Sequence, residues 1–330
     1  MLRCASRCGK KQGWKKHDRL GFGVVTRSEI FCPAEAWRDA YDTIPEYTKQ
    51  SQPYTAKLET LDVIRSYIER IDRAFAVLRA QLEQYKPDAL IVIGDDQGDM
   101  FNSSNNPTFC VFTGSEVWGS TVPRYMKAPP ERSRISIPVQ SSLAHVLLRG
   151  LIKRGFDLAA SDALKPQESR PERGVSHMLA YPYPRLAPGL DIPVIPVFVN
   201  EYYPPLPSAK RCWELGVAIA DIFRDRPERI AIYASGGMSH DPAGPRAGWI
   251  DEPLDRWVLE RIESNRSCEL SNLFTFDSDT LRGGTGELRA WIAAAGACQW
   301  PGKVVEYIPC HHAKTGLGFC YWPVRDGATT

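Results

Sequence analysis

The 330-residue sequence has no apolar stretch approaching the ~18 residues that a membrane span needs. Its first 20 residues lack the apolar core of a secretory signal, so a cytoplasmic location is expected. Charge of one sign is also lacking. Lys and Arg number 41 against 39 Asp and Glu, a net charge of +2 that leaves no electrostatic footprint for nucleic acid. The basic cluster "KKQGWKKHDR" near the start reads as part of a solvated, disordered extension over residues 1–20. The nine cysteines contain no CxxC pair, which removes the zinc-ribbon and thioredoxin-type patterns and leaves them as small buried hydrophobes. There is no phosphate loop, GxGxxG fingerprint, nucleophile elbow or HExxH, so the commonest nucleotide, dinucleotide, serine-hydrolase and zinc-protease signatures are excluded.

What is present is an alternation of two periodicities. Leu58, Leu61, Ile64, Ile68, Ile71, Phe75, Leu78 and Leu82 recur at spacings of three and four, which predicts a long amphipathic helix over 57–85. "ALIVIG" follows it, an apolar run without polar alternation, as a strand buried on both faces would be. A helix is expected at 138–154 and an extended stretch near 156–159. The strand "IPVIPVFVN" (192–200) precedes a helix at 208–224, and "RIAIYAS" (229–235) precedes one near 252–264. Residues 123–134 read as a surface loop or arm. The fold class is α/β: one domain over 21–330, with a central mostly parallel or mixed sheet and helices on both faces.

Ligands of such sheets bind beyond the carboxyl ends of the strands. Asp95, Asp96 and Gln97 close one strand and Ser239 and His240 another. His240 sits in "GGMSHDPAGPRAG", where glycines let the backbone turn sharply. There it is a candidate acid/base group, metal ligand or turn element. Glu287, in "GGTGELRAWIAAAGA", falls in the first turn of an apolar helix that Thr285 could cap, where the helix dipole favours a carboxylate. His311 and His312 lie in "IPCHHAKTGLGF", a short strand entering a glycine turn, and His177 sits in "RGVSHMLAY". Asn200, Tyr202 and Tyr203 could line a pocket for an aromatic ligand. Arg246 or Lys210 could neutralise a substrate carboxylate.

"SGGMSHDPAGPRAGWIDEPLD", "FVNEYYPPLPSAKRCWELG", "GTGELRAWIAAAGA" and "YIPCHHAKTGLGF" together resemble the class III extradiol ring-cleavage dioxygenases, a group that includes the catalytic β subunits of protocatechuate 4,5-dioxygenase. The resemblance runs over roughly residues 21–322. It implies a non-haem Fe(II) enzyme that uses O2 to open a small hydroxylated aromatic acid beside its two hydroxyls. His240 would be the acid/base group and Glu287 the carboxylate ligand, with His177 and His312 lining the pocket. Assembly as a homo-oligomer, or as a hetero-oligomer with a related subunit, is expected, with neither nucleic acid nor membrane as partner.

The sequence departs from that family at the metal. Its iron is held by two histidines and one carboxylate, yet no histidine occurs between His17 and His145. Gln97 stands where one histidine is expected, and Glu29 or Ser28 falls near the place of the other. Three readings stay open. Gln97, Glu29 and Glu287 could form an oxygen-rich site, or His17 or His240 could be recruited as a ligand. Otherwise the chain is a metal-free subunit of a hetero-oligomeric dioxygenase.

Overall fold

The computed structural model describes residues 20–26, 58–122, 130–169, 171–189, 191–242, 244 and 246–324. The basic extension, and with it His17, lies outside the described residues, as do Ser28 and Glu29. Strand β1 (Leu20–Thr26) is followed by helix α1 (Leu61–Tyr85), which begins where the Thr60 hydroxyl accepts the Val63 N–H. Strands β2 (Ala89–Gly94), β3 (Phe109–Phe112), β4 (Glu116–Ser120) and β5 (Arg134–Pro138) lead to helix α2 (Ser141–Lys153) and strand β6 (Ala159–Ser161). Then come β7 (Val194–Val199), α3 (Ala209–Phe223), β8 (Ile230–Ser235) and α4 (Glu252–Glu263). Helix α5 (Leu288–Cys298) and the hairpin of β9 (Lys303–Cys310) and β10 (Thr315–Trp322) complete the order.

Eight strands form one sheet in the order β6-β3-β7-β2-β8-β1-β10-β9. The centre, β7-β2-β8-β1, is parallel, while β3 pairs antiparallel with β7, and β10 with both β1 and β9. The expected mixed α/β fold is therefore present. Alternate residues of the apolar runs explain why both faces are covered. Ala89, Ile91 and Ile93 join the side chains of α2, α3, α4 and α5 in one core. Leu90 and Val92 point the other way, into a second core under α1. Helix α5 has no exposed residue, and it meets α3 where Gly216 leaves no room for a side chain: a Cβ there would lie 1.8 Å from the Ala293 carbonyl oxygen.

Two local expectations are corrected. The 123–134 arm is, in its described part, a helical turn (Pro130–Ser133) that runs straight into β5, which pairs with β4 in a small separate sheet. The helix bearing Glu287 starts later than expected. Residues Gly283–Glu287 form a 3-10 turn and α5 begins at Leu288, because Thr285 bonds to His240 instead of capping the helix.

Candidate active site

The parallel register puts the carboxyl ends of β2, β7, β8 and β1 on one edge: Gly94 is level with Phe198 and Ser235, and Ser235 with Thr26. Each strand end then turns for a visible reason. After β2, the Asp95 carboxylate accepts the Gln97 N–H at 2.6 Å and the Glu201 N–H at 3.3 Å, tying the turn to the end of β7. The Asp96 carboxylate takes the Met100 and Phe101 N–H groups at 2.6 and 2.7 Å. Gln97 and Gly98 are both left-handed, with φ of 57° and 70°. This reversal aims the Gln97 amide back across the strand ends.

After β8, the loop carrying His240 is fixed from several sides. Met238 N–H donates to the Gly316 carbonyl at 3.1 Å, and Gly316 N–H to the Ser239 carbonyl at 3.1 Å, so the loop lies along the start of β10. His240 N–H donates to the Thr285 hydroxyl at 3.1 Å and Thr285 N–H returns to the His240 carbonyl at 3.0 Å. Its ring Nδ1 faces the Met238 carbonyl at 2.8 Å. A carbonyl can only accept, so Nδ1 carries a proton and Nε2 is the nitrogen turned away from the loop.

That nitrogen points at a part-buried polar cluster. His240 Nε2 is 3.3 Å from the Tyr202 hydroxyl and 3.5 Å from Glu287 Oε1. Tyr202 donates to Glu287 Oε1 at 2.5 Å, and Gln97 Nε2 donates to the same oxygen at 2.8 Å. The other oxygen, Oε2, accepts the Gly237 N–H. Four of the side chains expected at the site (Gln97, Tyr202, His240 and Glu287) are thus brought together. Below them lie Asp95 and Glu201, both buried and both pushed well above the usual carboxylate range. Desolvation is the main cause, reinforced at Asp95 by the charges of Asp96 and Glu287 and at Glu201 by those of Asp95 and Glu287.

The remaining expected residues sit differently. Asn200 is occupied by its own turn: its side-chain oxygen accepts the Tyr203 N–H at 3.0 Å and its amide donates to the Tyr203 carbonyl at 2.6 Å. Arg246 lies in a small cleft beside His240, stacked 4.7 Å from the Trp249 ring and 3.7 Å from Asp279. Lys210 is exposed and near Glu214. His177 is buried in a π-helical turn (Ser176–Ala180), edge-on to Tyr181. His311 and His312 follow β9, and both backbone N–H groups are held by the buried Glu59 carboxylate, at 2.9 and 2.5 Å. Burial pushes the Glu59 carboxyl up to about 7.

Sequence reasoning missed the Thr285 clamp and the close approach of Gly284, where a Cβ would stand 1.9 Å from His240 Nε2. The glycine pair before Thr285 was the available signal. It also missed Asp255, whose place in the first turn of α4 looks like an ordinary dipole-favoured carboxylate.

The strand-end edge of this α/β sheet thus gathers an imidazole, a phenol and a carboxylate within hydrogen-bonding distance of one another. The sequence model of the catalytic LigB subunit of aromatic ring-opening dioxygenase matches residues 59–318, and the chain belongs to that family. A 2,3-dihydroxyphenylpropionate/2,3-dihydroxicinnamic acid 1,2-dioxygenase of Pseudomonas putida is 25% identical over 83% of this chain and 93% of its own length. The protein of the same name from Klebsiella pneumoniae subsp. pneumoniae is 27% identical over 61% of this chain, and the match spans 59% of that relative. One from Escherichia coli K12 is 28% identical over 58% of this chain and 55% of its own.

Extradiol dioxygenases of this family are non-haem iron enzymes. The described residues do not fit that ion as they stand. They offer one imidazole and one carboxylate together with a neutral amide and a phenol, softer nitrogen donors being the ones that suit iron. Both Glu287 oxygens are occupied by hydrogen-bond donors. Among the described residues no group of three or more His, Cys, Asp or Glu is arranged to hold a metal.

Proposed function

We propose that residues 21–330 form one catalytic domain that opens the ring of a small hydroxylated aromatic acid with O2, with His240 as the acid/base group. Family membership and the dioxygenase names of the relatives support the reaction class. The observation that carries the residue assignment is the placement of His240 Nε2 at the strand ends, 3.3 Å from the Tyr202 hydroxyl and 3.5 Å from Glu287 Oε1. A substrate hydroxyl entering beside Tyr202 meets a nitrogen able to take its proton. The resulting imidazolium is stabilised by the Met238 carbonyl on one side and Glu287 on the other. Arg246, beside the same histidine, is the cation we assign to the substrate carboxylate. Tyr202 orders the cluster and Asn200 its supporting turn.

In this reading Gln97, Glu287 and Glu29 are the oxygen donors the chain could offer Fe(II), and Glu287 could serve only by releasing the donors it now holds. His177 and His312 would stand at the pocket wall, and the assembly would be a cytoplasmic homo- or hetero-oligomer. No step here depends on the ion. The hydrogen-bonded state of Glu287 favours a second reading, a metal-free subunit paired with an active partner. Oxygen uptake with a panel of dihydroxyaryl carboxylic acids separates the two. Uptake by the chain alone, lowered about 10²–10⁴-fold by His240→Ala as for a general acid/base group, supports the enzyme. Uptake only after a related subunit is added supports the second reading.

A further inference from the structure

We propose that Asp255 is a positioning residue for His240, fixing the histidine loop through Ser239. Asp255 projects from the first turn of α4 and is fully buried. Its Oδ1 accepts the Ser239 N–H at 2.8 Å. Its Oδ2 accepts the Ser239 hydroxyl at 3.0 Å and the Tyr307 hydroxyl at 2.8 Å. The Ser239 oxygen accepts in turn the Asp251 N–H at 2.7 Å. One carboxylate therefore holds both the backbone and the side chain of the residue before His240. Thr285 holds His240 from the other side. The fit is tight, for a Cβ on Gly316 would stand 2.0 Å from Asp255 Oδ2.

The hydrogen bonding makes this hold depend on ionisation. A charged carboxylate accepts all three donors in charge-assisted bonds, roughly twice as strong as neutral ones, whereas a protonated one needs a hydroxyl to turn round for its hydrogen and holds the Ser239 N–H only as a neutral acceptor. Burial pushes the Asp255 carboxyl up to about 7, against the opposing hydrogen bonds from Ser239 and Tyr307, with Asp251 adding repulsion. The other charged groups at this corner, Glu252 and Arg256, act on Tyr307, whose ring Arg256 covers at 5.2 Å. With a midpoint near 7, the ionised fraction of Asp255 goes from about one-tenth at pH 6 to about nine-tenths at pH 8. The loop is held best above neutrality.

The inference rests on His240 as the acid/base group, but its test needs no turnover. Amide hydrogen exchange of Ser239 in the full chain is measured between pH 6 and pH 8 and corrected for the intrinsic rate, with α3 and α5 amides as a control for global opening. Protection of Ser239 should rise up to about tenfold over that range. In Asp255→Asn it should be low and flat with pH, while the α3 and α5 amides keep theirs. Tyr307→Phe leaves the carboxylate but removes a donor to its charged form, so the midpoint of the wild-type rise should move up. This second variant decides the matter should Asp255→Asn not fold. Flat Ser239 protection in the wild type, an Asp255→Asn profile equal to wild type, or a Tyr307→Phe midpoint that stays or falls overturns the proposal. A silent oxygen-uptake assay would count against the enzyme reading and leave the exchange result standing.

Discussion

Gly284→Ala is the smallest change that should disable the site without touching its chemistry. Gly284 has no left-handed φ, so alanine fits its backbone and only the added methyl matters. That methyl would stand 1.9 Å from His240 Nε2, 2.1 Å from Cδ2 and 2.4 Å from Cε1. Ordinary contact begins near 3.4 Å, so ring and backbone must separate by about 3.4 − 1.9 = 1.5 Å. The ring cannot swing aside cheaply, because Nδ1 is bonded to the Met238 carbonyl at 2.8 Å and the backbone is clamped by Thr285. A displacement of about 1 Å at a reacting group can cost on the order of 10² in rate. Overpacking of this kind typically costs only about 1–3 kcal/mol of stability. Turnover in the oxygen-uptake assay should therefore fall about 10²-fold, while urea unfolding shows a folded protein. A variant that turns over within twofold of wild type would refute the placement of Nε2 in the reaction.

Gly216→Ala should do the reverse, acting on the fold far from the chemistry. Its methyl would meet the Ala293 carbonyl at 1.8 Å, where α3 and α5 are both rigid, and should cost about 3 kcal/mol. At about 2–4 °C per kcal/mol that lowers Tm by roughly 6–12 °C, and an unchanged Tm would contradict the close helix contact. The pH dependence of stability follows from Asp255 and Glu59, whose carboxyls are raised to about 7 by burial. The folded chain keeps protons that the unfolded chain loses above about pH 4, so stability is greatest below that range. It falls as pH rises to about 7, by on the order of 3–4 kcal/mol for each of these two groups, and the raised Asp95 and Glu201 carboxyls act in the same direction. Burial of His311, lowered from its ordinary value, opposes this as a single group. Urea unfolding at pH 5, 6, 7 and 8 should show falling stability, and a rise across that range would refute the assignment.

The architecture was legible because fully buried parallel strands leave apolar runs with no alternation. "ALIVIG", "VIPVFV" and "IAIYAS" are buried at every position. His240 and Gln97 stood out as candidates because such a sheet collects polar groups at its strand ends, and Glu287 because a carboxylate opens an otherwise apolar helix. Their mutual bonding was not legible, since Gln97 and Glu287 are 190 residues apart in the chain and meet only through register. Thr285 was misread for a physical reason. A threonine two residues before a glutamate and an apolar run satisfies the local rules of a helix cap, but a tertiary partner, the His240 backbone, competes for its hydroxyl and wins. Asp255 was hidden by the same ambiguity, for only the packed structure distinguishes a solvated first-turn acid from a buried one.

The central claim is most directly tested by the product formed from a dihydroxyaryl carboxylic acid and 18O2, read by mass spectrometry with the Fe(II)-supplemented chain alone. Ring opening by a dioxygenase should give an acyclic product heavier than the substrate by one O2, with label from the gas, and His240→Ala should abolish nearly all of it. A substrate recovered intact, or an aromatic product without label, would contradict the account and move the chain to the role of a metal-free subunit.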